Sequence, residues 1–451
     1  MEFLWTDQCF LAVLIVGFLM TILSLRKKHI RRTFLRIYHR PLAVCAGIVV
    51  SFFLIISLLD SIHFRQNNEG DATLLTIQDE SILDRILSPL GNTFEKTYSA
   101  PLSLHLYSLE TIMVDDKAQQ IYPRLQYISP TISTKAERNR FIRAEIMAAF
   151  ALSLALVVLL WLFVVAIKWF LIRKIKFKPT PTEWSVLLTF FFCFLLVLAS
   201  FWISRELHLF GTGKIGQDIF YYTVKSIRTG LVIGILTTLF MLPLALLLGI
   251  SAGYFGGLVD DVIQYIYITL SSIPGVLLIS ASVLSMQTYI ANHPERFPTL
   301  SKSADARLLA LCLILGVTSW TSLCRLLRAE ALKLREVDYV MAARALGSSA
   351  FTILRKHLLP NVMHIVVITL VLDFSFLVLA EAVLSYVGVG VSPMTISWGN
   401  MINGARLELA RDPIVWWPIL AAFLFMFILV LAANLFADAV RDAFDPHHAG
   451  Y

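Results

Sequence analysis

The chain has 451 residues, 57% of them apolar and 15% charged, with a mean hydropathy of +0.74. That is more apolar side chain than one soluble core can enclose, so lipid is the solvent for most of it and a water-soluble enzyme or binding domain is excluded. The formal net charge of +7 would suit nucleic acid, but Lys and Arg stand in short stretches beside the apolar runs, so the excess reads as membrane topology and no nucleic-acid partner is expected.

A hydrocarbon crossing needs about 20 mostly apolar residues, and about nine stretches meet that requirement. They are 8–25, 42–59, 146–171, 184–203, 229–250, 266–287, 307–324, 363–385 and 414–436. Lipid satisfies no exposed backbone group and these runs lack the alternation of barrel strands, so each is predicted to be a helix. The expected fold is an all-α polytopic membrane protein.

Met1–Gln8 carries no base and positive charge follows the first run, which therefore reads as an uncleaved anchor rather than a secretory signal. Arg26, Lys27, Lys28, Arg31, Arg32, Arg36 and Arg40 follow the first run, and Arg173, Lys174, Lys176 and Lys178 follow the third. Arg325, Arg328, Lys333, Arg335, Arg344, Arg355 and Lys356 follow the seventh. Basic loops stay in the cytoplasm, so these three are predicted to be inside, with the N-terminus outside and the C-terminus cytoplasmic.

Between the second and third spans, a polar stretch from about Asp60 to Arg143 mixes Asp79, Glu80, Asp115 and Asp116 with Arg124 and Arg138, and holds alternating apolar runs around Leu104–Val114. Its length of about 85 residues suits a small extracytoplasmic domain. It is either a docking or gating cap or a spacer packed on the outer face. The expected organisation is an N-terminal extension with two spans (1–59), this domain (60–143), a third span with a basic linker (144–183) and a hydrophobic remainder (184–446).

Cys9, Cys45, Cys193, Cys312 and Cys324 lie in or at the ends of spans without CxxC spacing, which indicates neither a disulfide framework nor a metal site. His357 with His364, and the terminal His447–His448, lack ligand spacing on one helix face. No Ser, His and acid constellation forms a nucleophile motif, so no catalytic residue and no metal are expected.

From Tyr339 the chain reads YVMAARALGSSAFTILRKHLLPN. Helix formers run to Leu346, Gly347 can take the left-handed conformation that ends a helix, Ser348 or Ser349 can cap the next one, and Pro360 opens the following span. Two short helices with a break make a rigid, basic protrusion. It suits docking into another protein's groove or, alternatively, resting on lipid headgroups.

This segment resembles the EAA loop of ABC importer permeases, with Ala342, Ala343, Gly347, Leu359 and Pro360 in register, Met341 in place of the Glu and His357 in the apolar place. The HLLPN form looks like the dipeptide and oligopeptide branch. Other stretches are similar to that branch in the same order: GTGKIGQD at 211–218, with Gly213 and Gln217 departing; AGYFGGLVD at 252–260; AEAVLSYVGVG at 380–390; SWGNMI at 397–402; and DAVRDAFDP at 438–446. The Arg and Asp usual after GYxGG are replaced by Tyr265 and Ile268, and the first 180 residues do not resemble the family's single N-terminal span.

The resemblance covers about Trp184 to Pro446. It implies the C-type permease subunit of a peptide importer in the inner membrane, with a six-helix core and a coupling loop over 330–361. It also implies a second, B-type permease, ATPase subunits that bind the ATP, and an extracytoplasmic substrate-binding protein. No GxxxxGK[ST] loop occurs, since Gly213-Lys214 is followed by Ile215 without the upstream Gly, so no cofactor is expected in this chain. The motifs leave open dipeptides, oligopeptides, antimicrobial peptides, nickel or other solutes as cargo.

Charge inside a span costs roughly 2.5–3.5 kcal/mol on insertion scales, which makes Asp373 and Glu381 in the eighth span candidates for the translocation path. The alternative is that neighbours such as Ser375 or Ser385 hold them. Ser271, Ser272 and Pro274, near the inner end of the sixth span, either line the path or aid helix packing. A polytopic receptor or scaffold, recruiting a cytoplasmic protein through the basic loop, is the alternative function.

Overall fold

Runs of twenty apolar residues leave the backbone no polar partner but itself, and the chain folds them as helices. The computed structural model describes residues 4–25, 37–38, 40–65, 79–91, 93–114, 117–172, 181–297 and 299–444. The basic residues 26–36 and 173–178, with Asp115, Asp116, Pro446, His447 and His448, lie outside the described residues.

In chain order the helices are α1 (Trp5–Leu25), α2 (Pro41–Asp60), the short α3 (Ile82–Ile86) and α4 (Ser88–Gly91), α5 (Lys135–Ile172), α6 (Pro181–Ser204) and α7 (Ile219–Phe255). They continue with α8 (Gly257–Ser272), α9 (Gly275–Asn292), α10 (Leu300–Arg335), α11 (Asp338–Ala345), α12 (Ala350–Ile353), α13 (Leu359–Val387), α14 (Trp398–Ala405) and α15 (Trp417–Phe444). Among the described residues nine helices are long and apolar enough to cross a membrane, as expected: α1, α2, α5, α6, α7, α9, α10, the continuous α12–α13 and α15.

Several spans begin earlier than expected, and two differences change where named residues sit. The span expected at 266–287 is broken, because Pro274 pushes the residue before it out of helical geometry, and Ile273 is extended at φ −86°, ψ 131°. Ser271 and Ser272 therefore close α8, and the crossing helix is α9. The bases Arg325, Arg328, Lys333 and Arg335, expected in a loop, lie on the last turns of the 36-residue α10.

The chain divides into two compact units. The second gathers Thr229–Thr395 with α1 and the C-terminal end of α15 from Ala433. Its core joins Met241, Ala245 and Ala252 of α7 to Leu323, Leu327 and Ala331 of α10 and to Val362 and Val366 of α13. The N-terminal helix is fastened to α10 by Asp305, whose carboxylate accepts from the Thr6 backbone N–H at 3.2 Å and from the Thr6 hydroxyl.

The first unit gathers Ile37–Arg228 with Ile396–Ala432. Its polar part holds two antiparallel pairs: β1 (His63–Arg65) with β2 (Asp79–Ser81), Phe64 opposite Glu80, and β3 (Glu110–Val114) with β4 (Lys117–Ile121), Ile112 opposite Gln119. Leu104, Leu106, Leu125 and Ile128 pack with Ile203 and Leu207 at the end of α6, while Tyr98 packs with Trp417 of α15.

GTGKIGQD, at 211–218, is the knot of this unit. Thr212 donates its hydroxyl to the Thr97 carbonyl and accepts from the Ser99 N–H, both at 2.7 Å, and its own carbonyl accepts from Trp417 Nε1 at 3.0 Å. Gly216 stands at φ +76°, where an added Cβ would lie 1.7 Å from the Glu95 carbonyl oxygen. Only glycine satisfies both the left-handed backbone and the contact.

Charge reinforces the knot. His208 Nδ1 lies 2.6 Å from Asp218 and its Nε2 3.8 Å from Glu95, which also accepts from the N–H groups of Gln126 and Tyr127 at 3.0 Å. Burial opposes the imidazolium, yet hydrogen bonds and charge from Asp218 and Glu95 outweigh it and raise His208 to about 9. Nearby, Lys225 Nζ reaches Asp84 at 2.5 and 2.6 Å. Burial pushes Asp84 upward, but the charge and hydrogen bond of Lys225 prevail and hold it below the usual carboxylate range.

Two outcomes follow for the detergent-solubilised protein. Gly216→Ala lowers thermal stability by at least about 2 kcal/mol, whereas Gly213→Ala, whose new Cβ meets only the movable Gln217 side chain, costs under about 1 kcal/mol. Because His208 is raised from 6.5 to about 9, its contribution is complete below pH 6.5 and disappears as pH rises through about 9. The unfolding midpoint therefore falls across that window, a loss of roughly 3 kcal/mol, and His208→Gln flattens the slope.

Candidate coupling surface

The segment after α10 is a built structure rather than a flexible loop. Val340 is buried on α11, and the helix ends in a paired-bond reversal: Ser348 N–H reaches the Ala343 carbonyl at 3.1 Å and Gly347 N–H the Arg344 carbonyl at 3.0 Å. Gly347 takes φ +78° with nothing within 4 Å of its would-be Cβ, so its requirement is conformational alone. Ser349 caps α12 through the Thr352 N–H, as the sequence suggested.

From Ala350 the chain runs without a break to Val387. Pro360 has no N–H and its ring crowds the carbonyl four residues before it. The helix accommodates this with one wide turn over Leu354–Leu358, in which Leu359 N–H bonds the Leu354 carbonyl. Ile353 and Leu358 are fully buried in the core with Leu327 and Ala331. The short helix expected before the span is thus the span's own first turn.

His357, the odd residue at the apolar position, lies beside Tyr339 with the rings tilted by 40° and their centroids 5.9 Å apart. Asn361 Nδ2 donates to Tyr339 Oη at 2.8 Å and to the His357 carbonyl at 2.7 Å, tying α11 to the wide turn. Leu359 is half-buried against the core and Ala343 packs beside it, while Ala342 and Pro360 face outward.

What these anchors leave outside is an apolar knob: Leu346 is 86% exposed, Phe351 70% and Met341 47%. Arg344, Arg355 and Lys356 are exposed around it, and none forms an ion pair among the described residues. Rigid apolar side chains rimmed by cations form a surface that gains by being covered.

Behind the knob, Arg328 of α10 holds Asp260 of α8 through Nε at 2.5 Å and Nη2 at 2.6 Å, and Gln264 adds a bond at 3.0 Å. The hydrogen bonds from Arg328, more than its charge, keep Asp260 below the usual carboxylate range. Tyr265 and Ile268 are 73% and 58% exposed on α8. Sequence reasoning saw Asp260 in its motif and Arg328 among the bases, but nothing in their spacing of 68 residues joined them.

The intramembrane candidates do not form one cluster. Glu381 is buried and accepts from Ser385 Oγ at 2.8 Å, one turn along its own helix. Ser375 Oγ instead donates to Asn434 of α15 at 2.6 Å. Asp373 is half-buried, and its Oδ2 has no hydrogen-bond partner among the described residues. Ser271 and Ser272 are exposed at the end of α8, with Ser272 Oγ bonded to the Thr269 carbonyl at 2.7 Å.

Residues 245–449, from within α7 to beyond α15, match the model of the binding-protein-dependent transport system inner membrane component. The glutathione transport system permease protein GsiD of Pectobacterium atrosepticum is 32% identical over 240 residues, 53% of this chain and 72% of that one. The chain belongs to this inner membrane component family. The dipeptide transport system permease protein DppC of Lactococcus lactis is 31% identical over 243 residues, 54% of this chain and 65% of the relative, so the chain spans about two thirds of the length of such relatives. An inward-facing form of the MetNI methionine ABC transporter is similar at TM-score 0.35 and 17% identity, over 48% of this chain and 93% of that one.

In this multi-pass family member the Arg328–Asp260 pair is part-buried, so breaking one side strands a charge. Arg328→Met is expected to cost roughly 2 kcal/mol in thermal unfolding, more than the double change Arg328→Met with Asp260→Leu. Equal losses in single and double variants would place the energy elsewhere.

Proposed function

We propose that the chain is the membrane-spanning permease subunit of an ATP-driven importer of the dipeptide and oligopeptide class, in the inner membrane with its N-terminus outside and its C-terminus in the cytoplasm. The observation that carries this is the coupling segment: an exposed apolar knob with a cationic rim, on a turn continuous with a crossing helix. Its partners are ATPase subunits that bind the ATP, a second permease, and an extracytoplasmic substrate-binding protein. The names of the relatives, which specify dipeptide and glutathione, support small peptides as cargo.

In this reading an ATPase groove grips Met341, Leu346 and Phe351, and its closure on ATP displaces them sideways. Because helix runs unbroken from Ala350 to Val387, the displacement reaches the membrane as a tilt of that helix and alternates access to a central path. Asp373, with a carboxylate oxygen unpartnered among the described residues, is the candidate to face that path. Glu381, bonded to Ser385, has the lesser claim.

The test is co-purification of the tagged chain with its co-expressed neighbouring gene products. Gly347→Val, which forces a β-branched residue to positive φ at a cost of about 1–2 kcal/mol, is expected to reduce recovered ATPase at least fivefold and to uncouple its ATP hydrolysis from transport. Gly347→Asn, which tolerates that conformation, retains both. Recovery of the wild-type chain alone, without ATPase, would favour a receptor or scaffold.

A further inference from the structure

We propose that the cleft between α5 and α6 binds the phosphoethanolamine headgroup of a bilayer lipid. The inference rests on the chain's membrane character and is independent of the transport reading. The cleft has a volume of about 330 Å³ and is lined by Phe141, Glu145 and Ala148 of α5 and by Trp202, Arg205 and Glu206 at the end of α6. Positions 141, 145 and 148 share one helix face. A volume near ten times that of a water molecule accommodates a headgroup.

Its depth follows from the sequence of the two helices. The charge-free run of α5 begins at Ile146, directly after Glu145, and that of α6 ends at Ser204, directly before Arg205. The cleft therefore sits where hydrocarbon gives way to headgroups, and Trp202 stands where aromatic side chains gather at that boundary. Below it, Met147 and Phe150 are exposed on α5 and can accompany acyl chains.

Its charges are unspent. Glu145, Arg205 and Glu206 form no side-chain hydrogen bond or ion pair among the described residues, although Arg138, two turns before Glu145, is bonded to the Leu102 carbonyl at 3.0 Å. Carboxylates beside hydrocarbon are costly unless paired. A primary ammonium offers three N–H donors to Glu145 and Glu206, and the Arg205 fork matches the adjacent phosphate. Choline has no N–H to give, and phosphoglycerol, its phosphate taken by Arg205, brings no cation for the two carboxylates, so ethanolamine is the headgroup that fits.

Native mass spectrometry of the purified full chain, offered phosphatidylethanolamine or phosphatidylglycerol in detergent, tests the assignment. The expected result is about tenfold preferential retention of phosphatidylethanolamine, lost in the Glu145→Gln, Glu206→Gln double variant at an unchanged gel-filtration profile. Ala148→Leu, which narrows the cleft and keeps every charge, loses the preference too, so the test survives a folding defect in the first variant. Equal retention of the two lipids, or a preference untouched by Ala148→Leu, overturns the proposal. Competition by soluble phosphoethanolamine at the same concentration as the lipid would assign the cleft to a free solute and overturn the lipid source.

Discussion

Within the second unit, α7 and α10 approach so closely that a side chain on the facing surface has no room: a Cβ on Gly249 would lie 2.8 Å from the Cys324 carbonyl oxygen, and one on Gly253 2.5 Å from the Ala331 Cβ. Lipid tails are as apolar as leucine, so helices in a bilayer gain nothing by merely hiding apolar surface from one another. Their contact must come from dispersion at short range, which small residues four apart permit. Around this crossing Met241, Ala245, Leu323, Leu327 and Ala331 are all but inaccessible. The segment from Asp338 to Pro360 inherits that rigidity, since Val340, Ile353, Leu358 and Val362 join the same core.

A surface built this way differs from an exposed loop of equal composition. Leu346 and Phe351 project from anchors that cannot relax, so a force applied to them is transmitted into α13 rather than dissipated in backbone rotation. The wide turn at Leu354–Leu358 lets Pro360 be accommodated without a break, and Asn361 binds the His357 carbonyl.

The first unit solves a different problem with polar means. Glu95, His208, Asp218, Asp84 and Lys225 are buried or nearly so, and buried charge is tolerable only when each group has partners. The two carboxylates around His208 and the two around Lys225 meet that condition. They also tie residues separated by more than a hundred positions, which makes the polar domain part of the structure that carries the GTGKIGQD turn.

Much of this architecture was legible from the chain alone. Nine crossings were countable because hydrocarbon thickness and backbone hydrogen bonding admit one solution for long apolar runs. The break at Gly347 and the cap at Ser349 were local matters of allowed φ and of one hydroxyl's reach, and sequence decides those. Other features needed distant parts of the chain. Pro274 split a run that hydropathy alone joined, since averaged apolarity does not register backbone geometry. The pairs Arg328–Asp260, Lys225–Asp84 and His208–Glu95 depend on which helix faces which, and so does the bond from Ser375 of α13 to Asn434 of α15. Tertiary packing chose those partners because distances across a folded structure are set by the whole arrangement of helices, whereas the crossings and caps are set by energies that act within a few turns.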